Sequence, residues 1–103
     1  MNDIEELREI ILRLHGSEST HIETVPIKET FQGKTLWEGH VEVFDLINHP
    51  KAPRVYAWTH ETGDPSNPRR TLTVLHIRPA LSPQKAVQVV IASEYRDRLA
   101  EDH

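Results

Sequence analysis

The sequence predicts an α+β domain, a four-stranded antiparallel meander with a helix at each end of the chain. Three observations lead there. Apolar residues recur at helical spacing only near the two ends: Ile4, Leu7, Ile10 or Ile11 and Leu14 in the first stretch, and Ala86, Val87, Val90, Ile91 and Tyr95 in the second. Between them the helical period disappears, and β-branched and aromatic residues take over. Turn-forming clusters divide that middle region into four runs. The connections are too short for crossovers, so sequential antiparallel pairing is favoured. The expected order is α-β-β-β-β-α, with both helices packed on one sheet face and the other face solvated or covered by a partner.

The elements follow in order. A helix is expected over 2–15, capped by Asn2 with Glu5 completing a capping box. Asp3, Glu5 and Glu6 in its first turn and Arg13 with His15 in its last suit the helix dipole. Gly16 is the left-handed stop. The sheet is expected over 21–77, with strands near 21–31, 35–47, 54–61 and 71–77. Gln32-Gly33-Lys34 forms the first turn and Asn48 to Pro53 the second. Thr62 to Arg70, carrying three prolines and glycines in the runs Gly63-Asp64-Pro65 and Asn67-Pro68, forms a loop. Pro26 removes a ladder donor, which puts the first strand at an edge. The alternation of the second strand breaks at Val43-Phe44, where a bulge is expected. Ser82 as cap and Pro83 at the first helical position open the last helix, over 82–99. The β-branched run Val87 to Ile91 competes for a strand there, and length with the Ser-Pro start favours the helix.

With 103 residues the chain is one domain, 1–103, and can bury one modest core. Its 37% hydrophobic and 27% charged residues are ordinary for a folded domain. No apolar run is long enough to span a membrane, and the acidic amphipathic start is unlike a signal peptide. Without cysteine there is no disulfide framework, thiolate metal site or thiol nucleophile. A net charge of −4 disfavours nucleic acid as a partner, because phosphate binding rests on basic patches.

Four groups of residues are candidates for chemistry. His40 and His60 fall on neighbouring strands; a pairing of Phe44 with Tyr56 would set them opposite each other, with Glu42 near Trp58. Imidazole with carboxylate is the usual currency of zinc and iron sites, and the same trio would serve acid–base catalysis. A slip of one residue would put the two histidines on opposite faces. The serines lie in no nucleophile elbow, and the scattered glycines form no phosphate loop, so no cofactor is expected. Phe44, Leu46, Tyr56, Trp58, Leu72 and Val74, all at even positions, are expected to form one core under the last helix. Asp64, Arg69 and Arg70 mark the stiffened loop as a binding candidate, the arginines offering a fork for carboxylate or phosphate.

Trp37-Glu38-Gly39-His40-Val41-Glu42-Val43-Phe44, His49-Pro50-Lys51-Ala52 and Tyr56-Ala57-Trp58 together resemble the pattern of a group of small uncharacterised bacterial proteins. The likeness extends to Thr73-Val74-Leu75-His76 and Ser82 to Val87. It implies a bacterial, cytoplasmic protein and carries no activity to any residue. The run of strands ending in Ser-Pro-x-Lys-Ala is also similar to a double-stranded-RNA-binding domain. The single Lys85 at the helix start and the acidic balance argue against phosphate binding of that kind. The functional expectation is a small interaction or regulatory module that binds another protein or itself as a homodimer. An enzyme using the His/Glu cluster is the alternative, and a nucleic-acid binder the second.

Overall fold

A computed structural model describes residues 3–61, 65, 66 and 68–101, with the backbone course alone at Asp3 and over 95–101. The element order is α1 (Asp3–His15), β1 (Ser19–Phe31), β2 (Lys34–Leu46), β3 (Arg54–Glu61), β4 (Arg69–Leu75) and α2 (Pro83–Glu101). The four strands form one antiparallel sheet in the order β1-β2-β3-β4, so the meander is as expected and β1 with its Pro26 lies at an edge.

Local chemistry explains the boundaries. Gly16 adopts φ +68° and its amide donates to the Leu12 carbonyl at 2.9 Å, closing α1. The Asn2 cap lies outside the described residues. Gln32 and Gly33 have φ of 51° and 80°, the two-residue hairpin turn whose twist matches the flanking strands. Ser82 caps α2 through Oγ, which accepts from the Lys85 amide at 3.1 Å.

The placement of the helices differs from expectation: α1 and α2 cover opposite faces. Leu7 and Ile11 of α1 pack with Phe44, Leu46, Val55 and Ala57. Ala86 and Val87 of α2 pack with Val41, Val43, Tyr56 and Trp58. The reason is the register, which pairs Val43 with Tyr56 and Phe44 with Val55. Even positions of β2 therefore share a face with odd positions of β3. The even-numbered aromatic set is split, with Phe44 and Leu46 under α1 and Tyr56, Trp58, Leu72 and Val74 under α2. The apparent parity break at Val43-Phe44 is no bulge; β2 is buried on both sides there, and the irregularities of the β1–β2 pairing lie elsewhere, with Ile22 as the extra residue in β1 and Leu36 as the extra residue in β2. Leu14, expected on the buried stripe of α1, is 59% exposed.

Two side-chain contacts tie the layers together. The Tyr56 hydroxyl shares a hydrogen bond with His76 Nδ1 at 2.6 Å, and burial pushes its pKa up, so the hydroxyl keeps its proton. At the end of α1, His15 Nε2 shares a hydrogen bond with Thr73 Oγ1 at 2.9 Å and sets its ring edgewise to His49. Burial first, then the His49 charge, holds the His15 pKa below its ordinary 6.5. The unfolded chain therefore takes up that proton before the folded one. Stability from this residue is complete above 6.5 and is lost as pH falls below it toward the lower folded value. Urea midpoints measured from about pH 7.5 down to about 5.5 should fall, and His15→Gln should flatten that slope. An unchanged slope in the variant would place the pH dependence elsewhere.

Candidate functional site

The site begins with a mismatch of strand lengths. β2 has 13 residues and β3 has 8, and they pair only over Glu42–Asp45 with Arg54–Ala57. Below that segment Lys34 to Val41 continues with β1 alone, while Trp58 to Glu61 continues with β4 alone. The sheet thus parts into two hairpin arms. On the α2 side of the parting, a cleft of 660 Å³ lies between the arms and the helix.

Its walls are apolar. Phe31, Leu36 and Trp37 come from the first arm, Trp58 and Leu72 from the second, and Ile91 from α2. Trp37 and Trp58 meet with ring centroids 6.1 Å apart and planes tilted by 54°, within the range of favourable aromatic pairs. Trp37 lies flat along its own strand because position 39 is glycine: a Cβ on Gly39 would stand 2.7 Å from Trp37 Cζ2. Trp58 is buried, whereas Phe31 and Leu36 at the mouth are 62% and 50% exposed. Large apolar side chains open to solvent beside an apolar recess are the feature that marks a binding surface.

Among the described residues, three titratable side chains line the cleft: Glu29, His60 and Glu94. Glu29 Oε1 accepts from Gln84 Nε2 at 2.9 Å and from Gln88 Nε2 at 3.0 Å, both from α2. These amides fix the carboxylate without neutralising it. Glu94 pairs with Arg70 at 3.3 Å. Among the described residues, no lysine or arginine lines the cleft.

The residues singled out from sequence are dispersed. His60 lines the cleft, across from Arg70 in the β3–β4 register. His40 and Glu42, on the even face of β2, lie on the opposite side of the sheet, as the one-residue slip requires. Glu42 is held by His21 Nε2 at 2.8 Å and by the Thr24 hydroxyl, which donates at 2.6 Å to Oε2. That clamp ties β1 to β2 beside the β1 irregularity and leaves His40 exposed. Among the described residues, no three His, Asp or Glu side chains gather as a metal-ligand set. Arg69 and Arg70 belong to β4 rather than to the loop, opposite Glu61 and His60. Alternation sends them to opposite faces, so they form no common fork. Asp64 lies outside the described residues.

Sequence reasoning assigned Trp58 to the core, left Trp37 out of that set, and missed Glu29. The Gln84 and Gln88 pair, four residues apart on one helix face, was the available signal for a partner on that side. Among the described residues, no helix is long and apolar enough to cross a membrane. No protein-family model, curated protein or solved structure matches the chain.

Proposed function

We propose that the protein is a small regulatory binding module, and that the cleft between the hairpin arms and α2 takes up an apolar small molecule. The observation that carries this reading is the cleft itself. Its 660 Å³ falls within the roughly 300–1,000 Å³ of small-ligand sites, and apolar walls with a few fixed polar groups are the usual make-up of such sites. Catalysis finds less support, since the register separates His40 from His60 and Glu42 is engaged by His21 and Thr24. The setting is a bacterial cytoplasm, in line with the resemblance of the strand motifs. A protein partner or a second copy is the second reading. It draws on Leu12 and Leu14, 45% and 59% exposed on the outer side of α1, and light scattering on the purified chain tests it.

The chain has two tryptophans, and both line the cleft, so intrinsic emission reports on it directly. Titration with benzyl alcohol should change that emission to a saturable limit. Gly39→Ala, which displaces the Trp37 ring, should weaken the uptake about tenfold while leaving the circular dichroism unchanged. Emission that changes linearly without saturation would sink the reading.

A further inference from the structure

Occupancy of the cleft by an apolar ligand leaves the charge of that ligand open, and the walls speak to it. We infer that the ligand is a small organic cation, an ammonium group carried on an apolar body. The inference rests on the binding role of the cleft proposed above and goes beyond it by naming the chemical class.

The argument is one of charge complementarity. Among the described residues, the ionisable groups lining the cleft are two carboxylates, Glu29 and Glu94, and one imidazole, His60. Arg70 offsets Glu94 at 3.3 Å. Glu29 has no lysine or arginine partner among the described residues. Its two described donors are the neutral amides of Gln84 and Gln88, and both reach the same oxygen, Oε1. Among the described residues, no donor reaches Oε2. A half-buried carboxylate whose orientation is fixed and whose charge is left uncompensated is a site for a positive group.

The aromatic walls act in the same direction. Phe31, Trp37 and Trp58 line the recess that Glu29 borders. Indole and phenyl faces attract a cation through the ring quadrupole, most strongly for tryptophan and for a desolvated charge. An ammonium held near Glu29 would find carboxylate on one side and ring faces on another, while its apolar body occupies the space among Leu36, Leu72 and Ile91. An apolar anion such as a fatty acid would instead meet the uncompensated Glu29 charge. The same charge sets the preference against a neutral ligand of equal size, which would leave Glu29 unpaired.

The test uses three probes with a common phenyl body: benzyltrimethylammonium, benzyl alcohol and phenylacetate. Each is titrated against the tryptophan emission of the full chain. The ammonium should bind about tenfold tighter than the alcohol, and phenylacetate should bind weakest. Glu29→Gln keeps an acceptor for the amides of Gln84 and Gln88, and should bring the ammonium and the alcohol to within about twofold of each other. A thermal melt of Glu29→Gln matching that of the unaltered chain shows that the change is one of recognition. If the ammonium and the alcohol bind equally to the unaltered chain, or if the preference survives Glu29→Gln, the cationic ligand is overturned while the cleft remains a binding site. If none of the three gives a saturable signal, the binding role itself fails.

Discussion

Truncating Phe44 to alanine is expected to lower the unfolding free energy by about 3–5 kcal/mol, a large share of the roughly 5–15 kcal/mol that holds a domain of ordinary stability together. Phe44 is fully buried, in the cluster that joins α1 to the sheet through Leu7 and Ile11. Its ring also receives the edge of His21 with centroids 5.3 Å apart. Leu46, Ala52, Val55 and Ala57 complete the buried part of that layer; the two alanines are already small. Little side-chain mass is therefore free to move into the vacated space, and the cavity term adds to the lost transfer energy. Leu14→Ala is the matched control. It removes an aliphatic side chain from α1, the helix that packs over Phe44, but at 59% exposure, and should change stability by less than about 0.5 kcal/mol. Urea denaturation followed by circular dichroism measures both. Similar losses for the two variants would mean that α1 does not pack as described.

The second large effect is expected for Trp58→Ala, again about 3–5 kcal/mol by the same measurement. Trp58 is 2% exposed, sits opposite Leu72 in the β3–β4 register, and belongs to the cluster with Val87 and Ala86 of α2. It has a second role that Phe44 lacks, because its ring is also a wall of the cleft. A bound ligand raises stability according to its concentration over its dissociation constant, about 2.7 kcal/mol at a hundredfold excess. Benzyltrimethylammonium should therefore raise the melting temperature of the unaltered chain and leave that of Trp58→Ala unmoved. Trp58→Phe, which retains a ring, should recover part of both properties. A Trp58→Ala protein that loses stability yet keeps the full ligand-induced shift would place the ligand away from this wall.

These two residues show where legibility in the sequence ended. Both were recognisable as core candidates by size, burial preference and position on β-rich runs. Nothing in their spacing told them apart, and both carry even numbers. The structure places them in different layers because the β2–β3 register pairs Phe44 with Val55 rather than with Tyr56. With a side-chain period of two, that single step moves an entire strand from one face to the other. The same step separated His40 from His60 and dissolved the metal or acid–base cluster. Lys34 to Leu46 illustrates the related ambiguity. Buried at Val41 and Val43 on one side and at Phe44 and Leu46 on the other, the strand does not alternate, and its adjacent apolar pair Val43-Phe44 reads like a bulge when only one face is assumed to be covered.

What the sequence determined by itself was local. Gly16, Gln32-Gly33 and Ser82-Pro83 set where α1 stops, where the first hairpin turns and where α2 starts, because each acts through φ angles or through hydrogen bonds spanning four residues or fewer. Short connections then made the meander the economical topology. Tertiary structure alone decided the rest: the register between β2 and β3, the assignment of α1 and α2 to opposite faces, and the parting of the arms that opens the cleft. Glu29 meets Gln88 across 59 positions, and Trp37 meets Trp58 across the parting of the two arms, beyond the paired segment of β2 and β3. Such contacts depend on how whole elements pack, and no residue carries a mark of them in its immediate neighbours.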